Sequence, residues 1–102
     1  MKKRDIRLGF RYPIELDVDL YHQRKRLGHF KTKDIGPLGL FIETGPLSCV
    51  HQELVQIALY VNGIYMANGI VTHHSFNGIG IRFTEVSPAV FQAVNIRWTH
   101  PP

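Results

Sequence analysis

"IELDVDLY", residues 14–21, decides the fold. Ile14, Leu16, Val18 and Leu20 alternate with Glu15, Asp17 and Asp19. This period of two puts apolar side chains on one face of a strand and carboxylates on the other. Further β-rich runs follow at residues 27–34, 39–44 ("GLFIET"), 54–61 ("LVQIALYV"), 64–74 ("IYMANGIVTHH") and 78–84 ("GIGIRFT"). Six strands are therefore expected.

Turn residues join these runs. Asn62-Gly63 tolerates positive φ at both centres of a type I′ turn and predicts a tight antiparallel hairpin. Asn77-Gly78 offers the same before the last run, whereas Asn68-Gly69 falls inside a strand pattern and predicts a bulge or barrel bend. A helix is expected only over residues 87–97, where Ser87 can cap, Pro88 suits the first helical position, and Val90, Phe91 and Val94 recur at helical spacing. Six short antiparallel strands close into a barrel or curled sandwich to remove exposed edges, and the helix's apolar stripe can cover one open end.

With 102 residues, 44% of them hydrophobic and 20% charged, the chain suits one globular core and thus a single domain over residues 1–102. It divides into a flexible basic segment at 1–13, the strands at 14–84 and the helix at 87–97. The single cysteine, Cys49, cannot form an internal disulfide, which predicts a reducing, cytoplasmic compartment. The positive start "MKKRDIRLGFRYP" lacks the apolar run of a secretory signal, and the other apolar runs are too short for a membrane span. A soluble protein is expected.

Catalytic and metal chemistry find little support. His73 and His74 are adjacent in a strand and point to opposite faces, and His22, His29, His51 and His100 have no Cys or His at ligand spacing. Gly78 and Gly80 lead into a strand instead of opening a helix, so they make no dinucleotide fingerprint. Ser48, Cys49 and His51 are close in sequence without an indicated carboxylate. The expectation is a non-enzyme without metal or cofactor.

Charge is more informative. Ten of the twelve Lys and Arg residues lie in the first 33 positions, which reads as an anion-facing region. In "RLGFRYP", residues 7–13, Arg7 and Arg11 stand four apart with no acid between them. In "KDIGPLGLFIET", residues 33–44, Asp34 precedes Gly36-Pro37 and Gly39, a tight turn with a carboxylate at its mouth.

In this order and at this separation, the two segments resemble the PilZ domain family. Arg7 and Arg11 match its R-x-x-x-R segment, including the aromatic and proline that follow. Asp34 and Gly39 match the first and last positions of D/N-x-S-x-x-G, and "GIGIRF" is similar to its closing strand, with Gly80 at the usual glycine. The resemblance covers nearly the whole chain. It implies an all-β fold, a six-stranded antiparallel β-barrel with a short C-terminal α-helix, that binds the bacterial second messenger cyclic di-GMP. By the same resemblance the ligand-binding residues are Arg7, Arg11, Asp34, Gly36 and Gly39, with Arg4 and Gly80 as weaker candidates. Gly36 replaces the family's serine, so the hydroxyl that helps hold the ligand is missing; backbone N–H groups are the expected substitute.

The ligand's chemistry fits these residue types. A guanidinium binds phosphate in bidentate fashion, bonds to guanine O6 and N7, or stacks on the base. A carboxylate accepts from guanine N1 and N2, and Asp34 is the candidate. Lys2, Lys3 and Arg4 are expected to give electrostatic support, and Arg24, Lys25 and Arg26 to form a solvated turn between strands.

Three functions follow. The leading expectation is a stand-alone receptor in which ligand orders the N-terminal segment and alters contact with a protein effector. The alternative, motivated by Gly36, is an adaptor that has lost the nucleotide and works by protein contact alone. The third is a small barrel stacking single-stranded nucleic acid on Phe10, Tyr12, Phe30 and Phe41, although core packing is the commoner use of such aromatics. No nucleic-acid polymer is expected as partner.

Overall fold

The computed structural model describes residues 11–47 and 52–100. Its elements run β1 (Asp17–His22), β2 (Lys25–Ile35), β3 (Gly39–Glu43), β4 (Leu54–Tyr60), β5 (Ile64–His74), β6 (Ile79–Val86) and α1 (Ala89–Thr99). The strands close into a barrel in the order β1-β2-β3-β6-β5-β4, and every neighbouring pair is antiparallel. Closure comes from β4 returning to β1, with Val18 opposite Leu59. Among the described residues, no helix is long and apolar enough to cross a membrane.

The alternating pattern fills the barrel. Leu16, Val18, Leu20, Leu40, Ile42, Ile57, Leu59, Val71, Ile79 and Ile81 point inward, none more than 2% exposed. Each such side chain contributes about 1.5–3 kcal/mol on burial. α1 lays Val90, Ala93 and Val94 against the core, and Phe91 meets Phe83 edge to face at 6.1 Å. Ser87 Oγ accepts the Ala89 N–H at 3.2 Å, with Pro88 at the head of the helix.

Several local expectations need correction. β1 starts at Asp17 instead of Ile14, because the preceding stretch bonds a side chain: the buried Thr32 hydroxyl donates to the Ile14 carbonyl at 2.8 Å and accepts the Leu16 N–H at 2.9 Å. The Asn62-Gly63 hairpin forms with positive φ at both residues, but its loop has three residues, since the ladder ends at Tyr60 opposite Ile64 and Val61 is buried. Asn77-Gly78 does not use positive φ. There the Ser75 hydroxyl accepts both N–H groups, and glycine is needed because a Cβ at 78 would lie 2.0 Å from the Ile42 carbonyl oxygen. The bulge expected at Asn68-Gly69 is present as a register shift. Arg24, Lys25 and Arg26 are not one solvated turn: Gln23 and Arg24 make the turn with positive φ, while Lys25 and Arg26 belong to β2. Ser48, Cys49 and His51 lie outside the described residues.

Candidate functional site

The site begins where the N-terminal segment joins the barrel. Tyr12 forms an isolated bridge with Ile35: its N–H donates to the Ile35 carbonyl at 2.7 Å, and its carbonyl accepts the Ile35 N–H at 3.0 Å. This clamp brings the preceding residue alongside the end of β2, where Arg11 Nη1 meets Asp34 Oδ1 at 2.9 Å. Both groups remain open to solvent, Arg11 at 46% and Asp34 at 26% side-chain exposure. Arg7, Arg4, Lys2 and Lys3 lie outside the described residues.

A bulge sets the direction of the next side chains. Thr32 pairs with Ile42 and Asp34 with Phe41, so Lys33 is the extra residue in β2. Thr32 and Ile35 can then both face the core, while the intervening Lys33 and Asp34 stay at the surface. Lys33 Nζ sits 5.9 Å from the centroid of the Phe41 ring, within cation–π range. β5 carries a matching irregularity between Val71 and His73.

Between these bulged strands, the registers place Asp34, Phe41, Gly80 and His73 in one row across β2, β3, β6 and β5. The neighbouring row is Gly39, Arg82 and Ile70. Glycines in the two rows leave a hollow of about 320 Å³ whose lining includes Arg11, Gly39, Phe41, His73, Gly80 and Arg82. That volume lies within the ~300–1,000 Å³ of small-molecule sites. Among the described residues no carboxylate pairs with Arg82 or Lys33, so cations dominate the rim.

The structure thus brings together Arg11, Asp34, Gly39 and Gly80, and it separates their roles. A Cβ at Gly39 would lie 2.0 Å from the Ile81 carbonyl oxygen, so glycine is required there by the approach of two backbones. A Cβ at Gly80 would meet His73 Cβ at 3.1 Å and otherwise fill the floor of the hollow. Gly36 is buried, and its N–H donates to the Gly39 carbonyl at 2.8 Å across the Pro37-Leu38 turn. That N–H is therefore engaged within the turn.

Arg82 and His73 were not selected from the sequence as site residues. The signal for Arg82 was present in "GIGIRF": Ile79 and Ile81 point inward, so Gly80 and Arg82 point outward beside each other. Of the aromatics considered for base stacking, Phe41 lines the hollow, Phe30 packs against the core, and Tyr12 faces Trp98. Phe10 lies outside the described residues.

Two other features differ in chemistry. A larger hollow of about 570 Å³ runs over Met66, Ala67 and Val86, where the Asn68 amide donates to Glu85; its lining holds no cation and does not suit a phosphate. On the outside of β1, Asp19 accepts from Tyr60 at 2.5 Å and from Arg26 at 2.9 Å, and lies 2.8 Å from His29 Nδ1. The Tyr60 hydroxyl, then His29 and Arg26, hold its carboxyl at about 2. His29 is raised in turn by Asp19 and Asp17. This network ties β1, β2 and β4 together. Among the described residues, no three His, Cys, Asp or Glu side chains converge as a metal site. Comparison with protein-family models and with curated proteins finds no match.

Proposed function

We propose that the chain is a PilZ-type receptor for cyclic di-GMP. The observation that carries this reading is the Arg11–Asp34 pair at the rim of a cation-lined hollow, floored by Gly80 and walled by Phe41. Phosphate recognition needs guanidinium or ammonium groups, guanine needs an acceptor for its N1 and N2 protons, and the base needs a flat surface. Arg11 and Arg82 supply the first, Asp34 the second and Phe41 the third. Because the Arg11–Asp34 pair is solvent-open, breaking it costs only about 0–1 kcal/mol, which phosphate and guanine contacts can offset.

On this reading the protein is bacterial and cytoplasmic, no bond is made or broken, and the output is altered contact with a protein effector. Calorimetric titration with cyclic di-GMP, with GTP as control, tests it. Saturable binding that is strongly weakened in Arg11→Ala with the fold retained is expected. An absence of heat and of competition at high micromolar ligand would refute it. One observation favours a second reading, an adaptor that acts by protein contact alone: Gly36 lacks the family's hydroxyl and its N–H is already bonded. That reading expects Arg11→Ala to leave effector contact intact.

A further inference from the structure

We propose that the C-terminal helix is part of the positioning machinery of this site: Asn95 and Trp98, acting through Tyr12, hold Arg11 beside Asp34. The role assigned to Arg11 rests on the nucleotide-binding reading; the anchoring itself does not.

Tyr12 is a junction. Its backbone is clamped to Ile35 by two hydrogen bonds, its hydroxyl donates to Asn95 Oδ1 at 3.2 Å, and its ring meets Trp98 edge to face, with centroids 5.8 Å apart and planes at 67°. Asn95 and Trp98 are three residues apart and so share one face of α1. Neighbouring side chains on extended backbone project to opposite sides. Tyr12 accordingly turns to the helix while Arg11 turns to Asp34.

The anchoring is asymmetric. α1 is fixed to the barrel by Val90, Ala93 and Val94, all buried, whereas the described part of the N-terminal segment meets β2 through one isolated bridge and the solvent-open Arg11–Asp34 pair. Asn95 is exposed and Trp98 is 42% exposed, so neither is a core residue. Their contacts instead weight the bridge that sets the position of Arg11. Coupling of binding free energies is reciprocal, so an anion that secures Arg11 also secures Tyr12 against the end of α1. The helix end, where Ile96 and Trp98 are exposed, then reports the occupancy of the hollow.

Two measurements on the full chain test the proposal. In the first, amide hydrogen exchange is followed without ligand in wild type, Trp98→Ala and Asn95→Ala. Exchange at Tyr12 and Ile35 is expected to quicken by about tenfold in Trp98→Ala, from loss of a ring pair, while Val18 and Leu59 in the β1–β4 ladder stay unchanged. Unchanged exchange at Tyr12 and Ile35, or equal acceleration throughout the barrel, overturns the proposal. In the second, Trp98→Ala is titrated with cyclic di-GMP in the wild-type and Arg11→Ala backgrounds. Several-fold weaker binding in the first background and no further loss in the second is expected; equal loss in both overturns it. Failure of wild type to bind refutes the nucleotide reading, and the exchange measurement then decides the positioning role alone.

Discussion

Substituting the two glycines of the hollow separates a structural requirement from a ligand contact. In Gly39→Ala the new Cβ would lie 2.0 Å from the Ile81 carbonyl oxygen and 3.0 to 3.1 Å from Ile81 C and Arg82 Cα, all backbone atoms. Relief requires β3 and β6 to part by roughly 1.4 Å to restore an ordinary van der Waals contact. That movement strains the Phe83 N–H bond to the Leu38 carbonyl, 2.8 Å, and the adjoining bond of the β3–β6 ladder. Two such bonds at ~1 kcal/mol each, plus ~1–3 kcal/mol of overpacking, predict a loss of about 3–5 kcal/mol. At Gly80 the nearest atom is His73 Cβ at 3.1 Å, the next lie at 3.9 Å, and φ is not positive. Alanine there is expected to stay within ~1 kcal/mol of wild type, helped by a less flexible unfolded chain, while making the hollow shallower and weakening ligand. Urea unfolding followed by circular dichroism measures the first effect, and titration of the folded Gly80→Ala protein measures the second. If Gly39→Ala unfolds within 1 kcal/mol of wild type, the close-approach argument fails.

Two other outcomes are expected. Asp19 has a folded value of about 2, below its ordinary 3.8. Its contribution is therefore complete above about pH 4 and is lost as the pH falls through about 2; the gap corresponds to about 2 kcal/mol. Urea curves of wild type and Asp19→Asn should separate near neutral pH and converge toward about pH 2, and parallel behaviour would refute the network. His29 acts with the opposite sign: its value is raised, so its contribution is full below 6.5 and fades as pH rises through the folded value. Gly36→Ser is expected to tighten cyclic di-GMP by roughly fivefold, the equivalent of one hydrogen bond of ~1 kcal/mol. Unchanged affinity in the titration would show that the loop already compensates for the missing hydroxyl.

The barrel was legible because its signal is periodic and redundant. Leu16, Val18 and Leu20 point inward as their alternation requires, and the same rule locates the cores of β3, β4 and β6. Strand ends were less legible, since side-chain bonds decide them: nothing in "IELDV" shows that Thr32, sixteen residues beyond Leu16, will take the Leu16 N–H. The turn expected over residues 24–26 falls at Gln23-Arg24 for a different reason. Neither residue is a usual choice for positive φ, and the pairing of β1 with β2 imposes it. Motif spacing picked out Arg11, Asp34, Gly39 and Gly80, which the structure brings around one hollow. It left out Arg82, although the alternation in "GIGIRF" turns that side chain outward beside Gly80, and His73, which joins the others only through the register of β6 with β5.

On the proposed nucleotide-binding reading, those registers also explain how a weak surface pair makes a selective site. Arg11 and Asp34 satisfy each other at 2.9 Å, so a simple anion gains Arg11 but strands the Asp34 carboxylate beside it. Phosphate alone is thereby disfavoured by like-charge repulsion, and a guanine edge alone leaves the arginine without its acceptor. A ligand carrying both groups replaces both halves of the pair at once and leaves neither charge without a partner. The separation of the two functions is set by the β2 bulge, which turns Asp34 outward beside Phe41, and by the Tyr12 bridge, which fixes Arg11. Asp34→Ala keeps the bulge and the register of β2 with β3 while removing the carboxylate that partners Arg11. The expected result is loss of discrimination between cyclic di-GMP and inorganic phosphate, read as the ratio of their affinities. A preserved ratio would show that the rim cations alone recognise the ligand, with Asp34 serving only to hold Arg11.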